Sequence, residues 1–72
     1  MEEIEELGTI PAPYGKEIRM QQVTYDNGFK LLRMHIKEGK RFTTMDIDPV
    51  TAANWGKMFT EWSRNNTISD AE

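Results

Sequence analysis

The chain has no cysteine, a single histidine and no long apolar stretch among its 72 residues. Without cysteine it can form neither a disulfide nor a thiolate metal site. No run approaches the roughly 18 apolar residues of a membrane-spanning helix, and no signal-peptide pattern opens the chain. We therefore expect a cytoplasmic protein with no membrane partner.

Side chains that commonly carry catalysis are also scarce. His35 is the only histidine, and Asp46 and Asp48, the carboxylates considered as its partners in a metal site, have structural roles in the interpretation below. Neither Ser63 nor Ser69 lies in a nucleophile-elbow pattern, and no spacing suggests a metal-ligand set. The sequence predicts no catalytic residues, no cofactor and no metal, and hence no enzymatic activity.

Charge is distributed unevenly around a formal net charge of −3. Residues 1–15 carry four acids and no base, residues 16–41 carry seven bases and three acids, and residues 42–72 carry five acids and two bases. The negative total disfavours nucleic acid as a partner. A basic centre between acidic ends is most simply a solvated surface with acidic flanks.

The strongest local signal is an amphipathic helix predicted at about 49–64. Asp48 is a good N-cap, and Pro49 suits the first helical position because its missing N–H has no partner there in any case. An apolar stripe with 3.6-residue spacing follows, which is typical of a helix with one buried face. The stripe consists of Ala52, Trp55, Phe59 and Trp62. Gly56 lies at its margin and suggests that the helix approaches a sheet closely.

Three strands are predicted before this helix, at about 16–25, 29–37 and 41–47. Asn27-Gly28 between two strand-like runs indicates a two-residue hairpin loop, and Gly39-Lys40 indicates a second. The second loop sets Met34 opposite Met45, Leu32 opposite Ile47 and Arg33 opposite Asp46. A β-bulge at Gln21-Gln22 is needed to keep the apolar residues of the first strand on one face. With it, Val23 is expected opposite Leu32 and Met20 opposite Met34. The resulting inner face contains Ile18, Met20, Val23, Tyr25, Leu32, Met34, Ile36, Met45 and Ile47.

The expected fold class is α+β, a three-stranded antiparallel β-meander packed on one C-terminal helix. Residues 16–65 would form the single domain. Residues 1–15, which are acidic and rich in proline, and residues 66–72 would be flexible segments. A core this small makes oligomerisation a reasonable source of additional stability.

Any function is expected on the outer face of this sheet, where basic and apolar side chains alternate. Exposed aromatic residues among bases are typical of single-stranded nucleic-acid binding, and also of protein interfaces that use arginine and aromatic anchors. The candidate interaction surface comprises Arg19, Phe29, Leu31, Arg33, His35, Lys37 and Phe42.

The stretch 41–62 resembles a group of short, functionally uncharacterised bacterial proteins. The shared features are the Arg-Phe-Thr strand that begins at Arg41, the Asp48-Pro49 helix start and the Trp55-Gly56 pair within the helix. A more distant likeness, in architecture alone, is to the single-stranded-DNA-binding transcriptional coactivators, whose strands also lead into one C-terminal helix. The first resemblance implies a fold and a bacterial origin.

Two functions follow as hypotheses. The first is a non-enzymatic protein-interaction module, with a protein partner or a second copy of the chain bound through the sheet. The second is a single-stranded nucleic-acid-binding module that uses the basic and aromatic residues of the outer face, an alternative that the net charge disfavours.

Overall fold

The fold is known from a computed structural model, which describes residues 2–67. One antiparallel sheet, with its strands in chain order, precedes one helix. The elements are β1 (Glu3–Ala12), β2 (Lys16–Thr24), β3 (Lys30–Glu38), β4 (Arg41–Ile47) and α1 (Pro49–Asn66). The α+β class, the antiparallel meander and the C-terminal helix are confirmed, but the sheet has four strands where three were predicted.

The additional strand, β1, comes from the N-terminal segment that was predicted to be flexible. It pairs with β2 along its whole length, and Leu7 is the extra residue of a β-bulge between Glu6 and Gly8. Pro11 is tolerated because β1 is an edge strand, where a missing N–H can face away from the sheet. The prolines and glycines of this segment therefore mark an edge strand, a bulge and a turn.

The hairpin between β2 and β3 closes through three residues, 26–28, and not through Asn27 and Gly28 alone. The Tyr25 N–H donates to the Phe29 carbonyl at 2.8 Å, and the Gly28 N–H donates to the Tyr25 carbonyl at 2.8 Å. Gly28 has a φ of 85°, as a three-residue loop requires at its last position. Asn27 Oδ1 also accepts from the Phe29 N–H at 2.9 Å.

Because the loop has three residues and not two, the apolar residues at 18 and 20 face those of β3 without a bulge in β2. Met20 lies opposite Met34 as predicted, but Val23 pairs with Leu31 instead of Leu32. The predicted bulge at Gln21-Gln22 is wrong because the loop itself takes up the extra residue. The pairing of β3 with β4 is confirmed, and it includes the pairs Arg33 with Asp46, Met34 with Met45 and Leu32 with Ile47.

The register divides the sheet into two faces, because side chains alternate along each strand and paired residues share a face. The apolar face is defined here by Ile10, Ile18, Met20, Met34, Ile36 and Met45. The opposite face, which carries Arg19, Arg33, His35 and Lys37, is called the basic face. Val23 and Tyr25 were predicted for the apolar face; they lie on the basic face instead, beside Leu31 and Phe29.

Helix α1 begins as predicted and ends two residues beyond the predicted Arg64. Asp48 Oδ1 accepts from the Thr51 N–H at 2.8 Å, and the Asp48 carbonyl accepts from the Ala52 N–H at 2.9 Å. The hydrogen bond from Thr51 holds the pKa of the Asp48 carboxyl below its ordinary value. The flexible tail predicted at 66–72 falls mostly on residues 68–72, which lie outside the described part of the chain.

The helix does not cover the sheet, and this is the main departure from the predicted fold. Only its start approaches the apolar face, where Pro49 and Ala52 share a shallow hollow with Leu32 and Lys30. Every residue from 53 to 66 is exposed. No atom lies within 4 Å of the position that a Cβ on Gly56 would occupy, so the interpretation of Gly56 as a close-approach residue is wrong.

The consequence is a very small core. Among residues 2–67, the buried apolar side chains are Val23, Met34 and Ile47. The radius of gyration is 15.1 Å, whereas a compact domain of this length has about 11 Å. The chain exposes 5996 Å², compared with about 4600 Å² for a typical folded monomer of its mass.

Candidate interaction surfaces

The seven residues of the predicted interaction surface lie on the basic face, along β3 and the strands that pair with it. Four polar residues occupy the middle of the face, and the apolar ones lie toward its two ends. Phe29 and Leu31 are near the loop at 26–28, whereas Phe42 lies opposite Lys37 near the other end of β3. The apolar residues meet the bases at these two ends, where Phe42 lies opposite Lys37 and Leu31 is the next same-face residue to Arg33.

Arg33 is held by Asp46, its cross-strand partner on β4. Arg33 Nε donates to Asp46 Oδ1 at 2.8 Å, and Arg33 Nη2 donates to Asp46 Oδ2 at 3.0 Å. This two-point hydrogen bond raises the pKa of the Arg33 guanidinium and lowers that of the Asp46 carboxyl. The β3–β4 register predicted from the sequence gave this pair correctly. Both hydrogen bonds hold the Arg33 guanidinium against the sheet.

His35 is also held within the sheet, by a network that centres on the buried side chain of Gln21. His35 Nε2 lies 2.7 Å from Gln21 Oε1, and His35 Nδ1 lies 3.2 Å from Thr44 Oγ1. Because the amide oxygen of Gln21 can only accept, Nε2 is the donor and Nδ1 is free to accept from the Thr44 hydroxyl. Gln21 in turn donates to the carboxylate of Glu6 on β1.

Strand β1 brings negative charge to the middle of the basic face. Glu6 pairs with Gln21 in the register, and its carboxylate lies 3.8 Å from Arg19 Nε. Glu6 was not predicted here because the N-terminal segment was expected to be unpaired. Gln21 was assigned to a bulge, and Thr44, although opposite His35 in the predicted register, was not singled out. The sequence contained one signal for strand β1. Three β-branched residues, Ile4, Thr9 and Ile10, favour a strand here despite the neighbouring Gly8 and Pro11.

The apolar face shows the opposite situation, a set of side chains with little to cover them. Two cross-strand rows form it: Ile10, Ile18 and Ile36 in one, and Met20, Met34 and Met45 in the other. The central Met34 is buried, whereas Ile10 is 50% exposed and Met45 39% exposed. Gly8 completes the methionine row on β1 and adds no side chain to it.

Helix α1 carries a second uncovered apolar surface, called here the helix stripe and defined by Trp55, Met58, Phe59 and Trp62. Phe59 and Trp62 are 67% and 68% exposed. The Trp55 and Phe59 rings meet edge to face with their centroids 6.5 Å apart. Exposed aromatic clusters of this kind are typical of the surfaces that proteins use for interaction.

The described residues show neither a metal site nor a helix that could span a membrane. Within 2–67 no group of three or more histidine, cysteine, aspartate or glutamate side chains could hold a metal ion. None of the helical segments in this range is long and apolar enough to span a bilayer. The apolar face and the helix stripe are thus the main exposed apolar surfaces among residues 2–67.

Comparison with known proteins gives one match. The model of a family of unknown function, DUF6967, matches residues 1–65, and the chain belongs to this family. No curated protein and no solved structure matches the chain significantly. The match agrees with the expected short family of unknown function, and it carries no information on bacterial origin or on the likeness to transcriptional coactivators.

Proposed function

We propose that this member of the DUF6967 family is a non-enzymatic protein-interaction module that forms a homodimer through its apolar face and helix stripe. The observation that carries the proposal is the exposure of the helix stripe, which places two tryptophans and a phenylalanine in solvent. Aromatic side chains of this size dominate the energetics of protein interfaces. A cytoplasmic location remains part of the proposal.

This proposal relocates the interaction surface from the one that the sequence predicted. Arg33 and His35 are engaged with Asp46, Thr44 and Gln21 in their own sheet, so binding a partner through them would require breaking those contacts. Phe29 stacks on Tyr25 with ring centroids 6.3 Å apart. The basic face is therefore better suited to stabilising the sheet than to binding.

The alternative, single-stranded nucleic-acid binding, loses support for the same reason. Phosphate tracking requires cations that are free to exchange their counterions for phosphates. Arg33 is paired with Asp46 at 2.8 Å and Arg19 lies 3.8 Å from Glu6. No described observation favours nucleic acid over protein as the partner.

Sedimentation velocity over a wide range of concentration tests the proposal. We expect the natural chain to be a dimer, and Phe59→Glu to weaken the dimer about thirtyfold or more, because an interface aromatic is commonly worth at least 2 kcal/mol. Lys57→Glu is the matched control, because it introduces a glutamate on the opposite face of the helix. Circular dichroism checks that both variants keep their helix.

Two results would contradict the proposal. One is a natural chain that stays monomeric at every concentration, and the other is a Phe59→Glu variant that associates as tightly as Lys57→Glu. A labelled single-stranded oligonucleotide added to the same samples tests the alternative. A salt-sensitive complex that is lost in Arg33→Glu would support nucleic-acid binding instead.

A further inference from the structure

The dimer has two apolar surfaces to cover, and one arrangement covers both with two copies of the chain. We infer that each protomer lays its helix stripe on the apolar face of its partner, so that the two helices are exchanged reciprocally. The inference rests on the proposed homodimer and specifies its geometry. The sequence predicted that the helix packs on the sheet of its own chain. In this dimer the same helix–sheet contact forms between two chains.

The junction between β4 and α1 explains why the helix does not cover its own sheet. Asp48 is the single residue between Ile47 and Pro49. Its backbone is extended, with φ −87° and ψ 170°, as a residue before proline prefers. The cap bonds to Thr51 and Ala52 then fix the first turn. A direct, rigid junction sets the direction of the helix and leaves no loop that could reverse it.

The dimensions of the two surfaces agree. Helix α1 has 18 residues and is about 27 Å long, and the stripe from Trp55 to Trp62 covers about 10 Å of it. Four strands at about 4.8 Å spacing make the apolar face about 14 Å wide between its outer strands. One helix per sheet is sufficient to shield both the isoleucine row and the methionine row.

The chemistry of the two surfaces is also complementary. The helix stripe is mainly aromatic, with Trp55, Phe59 and Trp62, whereas one row of the apolar face consists of Met20, Met34 and Met45. Methionine side chains adapt their shape to a partner and make favourable sulfur contacts with aromatic rings. Gly8, at the end of the methionine row, has no atom within 4 Å of its absent Cβ position, which leaves room for a large ring.

The exposed area fits a second copy of the chain as the occupant. The surface of 5996 Å² exceeds that of a typical folded monomer of this mass by roughly 1400 Å². If each protomer buried this excess, the interface would total about 2800 Å², which is in the range of obligate homodimers. A twofold axis makes the two contacts identical, because each copy supplies one helix and one sheet.

Cysteine cross-linking distinguishes this geometry from other dimers, and the chain has no cysteine of its own to interfere. Met45→Cys puts a thiol on the apolar face and Phe59→Cys puts one on the helix stripe. Each variant is prepared alone, and the two are also mixed and allowed to exchange subunits before mild oxidation. We expect the mixture to form at least fivefold more disulfide-linked dimer than either variant alone, as seen on a non-reducing gel.

Three outcomes would overturn the exchange. If Phe59→Cys alone cross-links as well as the mixture, helix packs against helix, and if Met45→Cys alone does so, sheet packs against sheet. If nothing cross-links while sedimentation still shows a dimer of both variants, the copies associate elsewhere. In each of these cases the homodimer stands and the exchange fails, whereas a monomeric natural chain would remove the homodimer itself.

Discussion

The two faces of the sheet use similar numbers of side chains in different ways. On the basic face, the central polar side chains have partners on neighbouring strands, as Arg33 has Asp46 and His35 has Gln21. On the apolar face, Ile10 and Met45 remain substantially exposed, and the helix that should cover them points elsewhere. The polar groups at the centre of the basic face are satisfied within the sheet, whereas the apolar face is the part of the sheet that the proposed dimer would cover.

The proposed difference between the two faces can be tested by introducing the same charge on each of them. Ile10→Glu introduces a carboxylate on the apolar face, and Thr9→Glu introduces one on the basic face opposite Arg19. We expect Ile10→Glu to raise the dissociation constant of the dimer at least tenfold, since desolvating a charge in an apolar contact costs well over 1.4 kcal/mol.

Thr9→Glu is expected to leave the dissociation constant unchanged, because it adds a carboxylate next to a guanidinium outside the contact. Sedimentation equilibrium measures both variants. Equal effects of the two substitutions would mean that the apolar face is not part of the interface.

The second test compares two neighbouring glutamines that lie on opposite faces. Gln21 is buried and joins Glu6 to His35, whereas Gln22 is half-buried and meets Glu5 at 3.5 Å in an exposed position. We expect Gln21→Ala to lower the free energy of unfolding by about 1–3 kcal/mol, because it removes a buried side chain together with its hydrogen bonds to Glu6 and His35.

Gln22→Ala should cost no more than about 0.5 kcal/mol, since an exposed hydrogen bond is readily replaced by water. Urea denaturation monitored by circular dichroism measures both values. If the two substitutions cost the same, the network on the basic face does not stabilise the sheet.

The smallest expected effect is the acid sensitivity of the basic face. Arg33 lowers the pKa of Asp46 in the folded protein below its ordinary value of 3.8. The folded pKa is thus below the unfolded one, so the stabilisation is present above about pH 4 and is lost as the pH falls through the folded pKa.

Asp46→Asn should therefore reduce the difference in urea midpoint between neutral pH and about pH 3. Asp48 has a lowered pKa for a different reason, its cap bond from Thr51, and Asp48→Asn should remove a separate share of the acid dependence. An unchanged pH profile in Asp46→Asn would show that the pair with Arg33 contributes nothing to stability.

Much of the fold could be predicted from local pattern. The β3–β4 register follows from a short turn and two alternating strands, and the start of α1 follows from Asp48 and Pro49. The predicted β2–β3 register was correct from Ile18 to Met20, yet it was derived with a bulge that the structure does not contain. Parity alone cannot tell an extra residue in a strand from an extra residue in a loop, since both shift the alternation by one.

The residues of the predicted interaction surface share one face as expected, but not all of their partners were foreseen. Arg19, Arg33, His35 and Lys37 share a face as expected, because alternation fixes which side chains lie together. Their partners could not be predicted in full, since Glu6 reaches the face only when β1 pairs with β2. The bases that had suggested binding are partly neutralised by a segment distant from them in sequence.

The sequence by itself determined the elements that depend on neighbouring residues: three of the four strands, the capped helix and its aromatic stripe. Only the tertiary structure decided that residues 3–12 form an edge strand and that α1 leaves the sheet uncovered. The physical reason is that propensity, capping and alternation act over a few residues. The pairing of an edge strand and the direction of a helix depend instead on contacts between distant parts of the chain and on the geometry of one junction, at Asp48.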